Sequence, residues 1–314
     1  MGHNWSVVKQ LYPPKSKFSV DQIPDLTGKV VIVTGGYVGI GYETVRVLLA
    51  RGAKVYIASR NLEKAEKAIT SLKSETGNEP LFIQLDLADL HSVKNAAEEY
   101  LRKENTLDIL FNNAGVMMCP KSMLAAQGVD LQFGTNVLGH WYFTELLMPA
   151  LIAAAETSSD HHARVITTSS SGAYSDTLHF DTFKDGPARK KVSPRQLYFQ
   201  SKHGNVVIAR QVAKRYAEKG IISISLNPGN ISTDLQRHTM GDVSKKIGEL
   251  LILYPTPYGA LTQLYAGTMP EAVKHNGEFF IPWARPGKCR PEAYDDGIGE
   301  KLWTWCEDTV KELT

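Results

Sequence analysis

Tyr198 and Lys202, in the stretch YFQSK, stand four residues apart. On a helix that spacing puts both side chains on one face. A free tyrosine has a pKa of about 10, too high to exchange protons readily near neutrality. A lysine cation held beside it favours the phenolate and lowers that value. Such a pair can give a proton to a carbonyl oxygen, or take one from an alcohol, while hydride moves on a nicotinamide. In isolation the spacing means little, because both residues are common on solvated helix faces.

A second stretch, VIVTGGYVGIGYET (31–44), carries four glycines between Gly35 and Gly41, after an apolar run and before a helical pattern. It fits neither the G-x-G-x-x-G fingerprint nor the G-x-x-x-x-G-K-[ST] phosphate loop, since Tyr42 stands where the lysine belongs. Gly35 at a strand end and Gly41 at a helix start would still let backbone N–H groups approach phosphate oxygens, where the helix dipole favours negative charge.

These residues need elements to hold them. KVVIVT (29–34), KVYIAS (54–59), LFIQLD (81–86), LDILFN (107–112), ARVITTS (163–169) and IISISLN (221–227) read as buried strands. Helical segments such as YETVRVLLARG and SVKNAAEEYLRK lie between them. That alternation predicts an α/β fold: a single doubly wound parallel sheet with helices on both faces. Ligands then bind at the carboxyl ends of the strands. The expected organisation is an N-terminal arm, 1–27, and one dinucleotide-binding and catalytic domain, 28–314. Residues 171–197 and 230–256 follow strand ends without a clear period and read as substrate loops, although VSKKIGELLILY (243–254) could form a helix. Met117, Met118, Leu178, Phe180, Phe183, Leu235 and Met240 would line the mouth, pointing to an apolar substrate.

Four motifs in order make the sequence resemble the short-chain dehydrogenases/reductases, with the flavour of the retinol-dehydrogenase-like and fungal reductase branch. Thr34, Gly35, Gly39, Ile40 and Gly41 match T-G-x-x-x-G-x-G; Asn112-Asn113-Ala114-Gly115 matches N-N-A-G. Tyr198 to Lys202 matches Y-x-x-x-K, and Pro228-Gly229 with Thr233 matches P-G-x-x-x-T. The resemblance covers about residues 28 to 284. It implies a Rossmann-type sheet, a carbonyl–alcohol oxidoreduction, and a nicotinamide cofactor.

The resemblance also implies roles. Ser170, in TTSSSG, is the expected catalytic serine, with Ser169 and Ser171 as alternatives; Asn136 is expected to hold a water in a proton relay through Lys202. Gly35, Tyr37, Gly39, Ile40 and Gly41 would face the phosphates and adenosine ribose; Asp86 and Leu87 would cap the adenine, Asp86 also serving as a helix N-cap. Asn112, Asn113 and Gly115 would border the adenine ribose, and Pro228, Ile231 and Thr233 the nicotinamide, with Tyr198 and Lys202 also touching the cofactor. The second strand ends on Ser59-Arg60 rather than an acidic residue. An arginine there can bind a 2′-phosphate, so NADP(H) is expected over NAD(H). The expected activity is therefore an NADP(H)-dependent carbonyl reductase or alcohol dehydrogenase; the alternative is a catalytically silent NADP-binding sensor or scaffold.

Composition narrows the rest. The 314 residues carry 35 basic and 33 acidic side chains, a net charge of +2, which gives no case for nucleic acid. The first residues lack an apolar run of signal-peptide length. No uninterrupted apolar run reaches the length of about 18 residues that a spanning helix needs. Three scattered cysteines argue for a reducing compartment and a cytoplasmic location. The pair His161-His162 lacks carboxylate or thiol partners nearby in sequence, so no metal is expected. The partner expected is a small molecule, and a homodimer is compatible with the reading.

Overall fold

The computed structural model of the protein describes residues 10–126, 128–232 and 253–313. The six apolar runs form strands β1 (Val30–Thr34), β2 (Lys54–Ser59), β3 (Leu81–Gln84), β4 (Ile109–Asn112), β5 (Ala163–Thr168) and β6 (Ile221–Leu226). They pair in parallel, Val31 opposite Val55 on one side and Ile109 on the other. Two strands not expected, β7 (Phe279–Ile281) and β8 (Arg285–Gly287), extend the sheet, β8 antiparallel to β7. At three residues each they are too short to show a period. Among the described residues the order is β3-β2-β1-β4-β5-β6-β7-β8. The direction of winding reverses between β1 and β4, which opens a crevice at their carboxyl ends.

Helices α1 (Gly39–Ala50), α2 (Leu62–Thr76), α3 (Leu90–Lys103), α4 (Gly139–Thr157), α5 (Pro194–Tyr216), α6 (Thr256–Thr268) and α7 (Asp296–Leu313) cover the two faces. Strand side chains alternate between them, as the pleat requires. Val30 and Ile32 join the cluster with α3, α4, α5 and α7, whereas Val31 and Val33 join the one with α1 and α6. Burying each such side chain contributes roughly 1.5–3 kcal/mol. Phe18, Ile23 and Leu26, from the segment expected as an arm, pack into the second cluster. Residues 131–157 include a helix long and apolar enough to cross a membrane by length and composition. Within this fold, 67% of its most apolar window is buried.

The segment 171–197 is more ordered than its sequence suggested. It contains 3-10 turns at Ser171–Tyr174 and Phe180–Thr182, a helical turn at Pro187–Lys191, and the first turn of α5. Ser193 and Gln196 form a capping box there, with Pro194 in the first turn of the helix. The expectation that Leu178, Phe180 and Phe183 line the mouth is corrected. Phe183 stacks on Phe133 at 3.7 Å and meets Trp305 at 5.0 Å; Phe180 lies 5.0 Å from Phe183, and Leu178 is buried in the same cluster. Aromatic burial wins over loop position. Arg189, paired with Asp130 at 2.9 Å with both side chains 2% exposed, fastens the segment down. Thr233, Leu235, Met240 and the helix expected from 243 lie outside the described residues, apart from Leu253 and Tyr254 at its end.

Candidate active site

A cleft of about 760 Å³ runs along the carboxyl ends of β1 to β6, from Arg60 to Leu253. It brings together Gly35, Tyr37, Gly39, Ile40, Gly41, Arg60, Asp86, Leu87, Asn113, Gly115, Ser170, Tyr198, Lys202, Pro228 and Ile231. Asn112 and Asn136 do not line it, and Thr233 lies outside the described residues.

One half of the cleft is a backbone cradle. Gly35 turns at φ +67°, the left-handed region that disfavours side chains. A Cβ on Gly41 would sit 2.4 Å from the Gly35 carbonyl oxygen and 2.7 Å from the Asn113 amide nitrogen. Only glycine lets α1 start so close to the sheet. The N-cap of α1, Val38, supplies no side-chain acceptor, so the first-turn N–H groups face the cleft without one. That is an anion site by dipole and by donors. At the end of β2 the buried Ser59 hydroxyl has no hydrogen-bond partner. Arg60, beside it, is exposed and has no carboxylate partner among the described residues. A phosphate-bearing dinucleotide fits this donor set: helix N-terminus, orphaned hydroxyl and free guanidinium.

Asp86 accepts a bond from the Ala88 backbone at 3.0 Å, but the N-cap of α3 is Asp89, which corrects the capping expectation. Asn112 and Asn113 part company at the end of β4. Asn113 turns to the cleft, its amide donating to the Thr34 carbonyl at 2.8 Å. Asn112 turns away and donates to Thr144 of α4 at 2.9 Å. The expected ribose contact of Asn112 is therefore corrected, because adjacent strand residues point to opposite faces.

The other half holds the reactive groups. Tyr198 and Lys202 are both buried on α5. The Lys202 ammonium lies 5.9 Å from the Tyr198 ring centroid and donates to the Thr168 carbonyl at 3.0 Å. Burial pushes the Tyr198 phenol above its ordinary pKa, and a hydrogen bond with Ser170 partly offsets this. The lowering expected from Lys202 is not found: burial raises the phenol and only the Ser170 hydroxyl opposes it. Tyr198 is thus a neutral phenol at pH 7. Burial also lowers Lys202, to about 8.

The three serines are separated by their bonds. The Ser169 hydroxyl donates to the Lys202 carbonyl at 2.6 Å, deep in the core. Ser170 caps the following 3-10 turn by accepting from Gly172 at 2.9 Å, and it is the one that meets Tyr198. Ser171 opens that turn at the cleft wall.

Asn136 sits in a π-helical turn, Gly134–Leu138, directly before α4. Both amide protons of its side chain are donated, to Val116 at 3.0 Å and Ser201 at 2.9 Å, and its oxygen accepts from the Val116 N–H at 2.9 Å. It clamps the loop after β4 onto α5.

Sequence reasoning placed Thr34 in the glycine motif but missed its role in fixing this loop, and missed His140 and Gln263. The Thr34 hydroxyl accepts from the N–H groups of Asn113 and Ala114, each at 2.9 Å. It also meets the His140 Nε2 at 2.9 Å, while His140 Nδ1 lies 3.1 Å from the Asn136 carbonyl. Burial drives His140 down to about 3, so it is neutral and serves as a hydrogen-bond bridge. Gln263 of α6 accepts from Thr168 at 3.0 Å and donates to Asn113 at 3.4 Å. His140 stands four residues after Asn136, a helical spacing that was the available signal; Gln263, distant in sequence, left none.

The family model for short chain dehydrogenase matches residues 29–182. A short-chain dehydrogenase/reductase from Armillaria gallica is 60% identical over 312 residues, covering 99% of this chain and 100% of its own. An uncharacterised protein from Mycobacterium paratuberculosis is similar in structure, with a TM-score of 0.73, 27% identity and coverage of 94% and 98% of the two chains. Pseudomonas aeruginosa RhlG, solved as an NADP active-site complex, superposes with a TM-score of 0.66 at 24% identity, covering 82% of this chain and 95% of that one.

Proposed function

The chain belongs to the short-chain dehydrogenase/reductase family, and on that premise we propose that it is an NADP(H)-dependent oxidoreductase interconverting a carbonyl and an alcohol on an apolar small molecule. The observation that carries the reading is the buried Tyr198 phenol, which shares the cleft with Ser170 and has the Lys202 ammonium 5.9 Å from its ring. When bound, the nicotinamide supplies or receives the hydride at the carbonyl carbon. Tyr198, neutral at pH 7, donates its proton to the carbonyl oxygen, and the Ser170 hydroxyl holds that same oxygen. The Lys202 cation stabilises the phenolate left behind. In the alcohol direction the Tyr198 phenolate, held by the Lys202 cation, would take the proton back.

The first turn of α1 would hold the pyrophosphate, and Ser59 with Arg60 the 2′-phosphate; the orphaned Ser59 hydroxyl supports that placement. The crystallised NADP complex of RhlG is consistent with the same choice. Val116, Met117, Met118, Phe199 and Leu253 line the wall beyond Tyr198, which supports an apolar substrate. The test is NADPH consumption against a panel of aldehydes and ketones, with NADH in parallel. Turnover with NADPH is expected; no turnover of any member would leave a nucleotide-binding protein without this activity.

A further inference from the structure

Charge is distributed unevenly along the cleft. Among the described residues its lining has three cations, Arg60, Lys202 and Arg195, and one carboxylate, Asp86, at the adenine end. Arg60 serves the cofactor and Lys202 the proton transfer. Arg195 has no such role. It is exposed, has no carboxylate partner among the described residues, and faces the cleft from the first turn of α5. Helical spacing places Tyr198 and Phe199 on its face, three and four residues on. Its guanidinium lies 5.2 Å from the Phe199 ring centroid, and that ring lies 6.2 Å from the Tyr198 ring. The aromatic ring therefore favours a position of the cation one ring beyond the reacting group, in the cleft that Met117 and Met118 also line.

Resting on the oxidoreductase reading, we propose that Arg195 selects the substrate by charge: the preferred substrate is an apolar carbonyl compound carrying a carboxylate at the end remote from its carbonyl. The carbonyl reaches Tyr198, the apolar body lies along the methionines and Phe199, and the carboxylate pairs with the guanidinium fork. Arginine suits this task because its planar donors match a carboxylate and its face stacks on phenylalanine. No covalent step is added to the reduction already described.

The experiment compares a series of ω-oxo acids with their methyl esters, using NADPH and the full chain. Wild type should favour acid over ester in kcat/KM by roughly five- to tenfold, between an exposed ion pair and a charge-assisted hydrogen bond. That preference should shrink as salt is raised. Arg195→Gln should lower the acid's kcat/KM about five- to tenfold more than the ester's, Arg195→Lys should restore part of the preference, and Arg195→Glu should reverse it. Equal kcat/KM for acid and ester in wild type would overturn the proposal, as would a preference that Arg195→Gln leaves intact. So would an equal weakening of NADPH binding and of both substrates, which would make Arg195 a cofactor contact. Acid- and ester-induced melting shifts, measured with NADPH present, separate the two claims. An Arg195-dependent shift by the acid, with no turnover of it or of any aldehyde or ketone in the panel, would support the charge selection and sink the oxidoreductase reading. Turnover without acid selectivity would do the opposite.

Discussion

Replacing Lys202 by methionine should make the nucleotide-free protein more stable while disabling it. The lysine is buried, and desolvation lowers its pKa from the ordinary 10.5 to about 8. A tenfold loss of proton affinity is worth about 1.4 kcal/mol, so holding the protonated lysine in the fold costs about 3 kcal/mol. Its hydrogen bond to the Thr168 carbonyl offsets about 1 kcal/mol of the gain from removing it. That carbonyl is not orphaned, because Asn205 also donates to it at 3.0 Å. Methionine fills a similar volume without a charge. The net gain is about 1–2 kcal/mol, or a few degrees in Tm for a chain of this size. The sign with pH follows. The folded state binds the proton less tightly than the unfolded one, so the penalty is complete below about pH 8 and fades as pH rises toward 10.5. Thermal melts of wild type and Lys202→Met at pH 7 and pH 10, with nucleotide removed because it stabilises the folded state, provide the assay. The variant should melt higher at pH 7, with the gap narrowing at pH 10. A variant that melts lower at pH 7, or a gap independent of pH, would refute the desolvation argument.

Two other outcomes follow from the cradle. Arg60→Ala should weaken NADPH roughly tenfold to a hundredfold and leave NADH nearly unchanged, measured by titrating nucleotide fluorescence; equal losses would mean that Arg60 supports the fold instead. Gly41→Ala must push a methyl against the Gly35 carbonyl, 2.4 Å from its ideal position, so it should lower stability by about 1–3 kcal/mol and weaken NADPH at least tenfold. A denaturant melt and the same titration check it, and wild-type values in both would show that α1 has room the structure does not give it.

The sheet was legible because β1 to β6 are apolar runs set between helices; burial on both faces leaves that mark on β1, β2, β4, β5 and β6, whereas the edge strand β3, expected as buried, is half open to solvent. Strands of three residues, such as Phe279–Ile281, leave none. The glycine cradle was legible for a similar reason: Gly35 and Gly41 answer to backbone geometry that no other residue satisfies. Side-chain direction at element ends was harder to read. Asn112 and Asn113 are chemically alike and adjacent, yet one side chain packs on Thr144 and the other faces the cleft. Phe183 looked like a pocket residue because its segment lacked a period, but Phe133 and Trp305, from distant parts of the chain, draw it into the core. The direction in which the Tyr198 pKa moves was equally hidden. Proximity to Lys202 can be read from spacing, but burial of the phenol cannot.

The central claim is that Tyr198 is the proton donor. Tyr198→Phe removes one hydroxyl and keeps the buried ring, so fold and NADPH affinity should persist. Loss of acid–base catalysis typically costs about 10²–10⁴-fold, roughly 3–5 kcal/mol of barrier. The most direct measurement is single-turnover oxidation of bound NADPH by a carbonyl substrate in wild type and Tyr198→Phe at saturating concentrations. The account predicts roughly a hundredfold or more slowing of the chemical step in the variant, with unchanged NADPH binding; a variant reducing the carbonyl at near wild-type rate would assign the proton to another group.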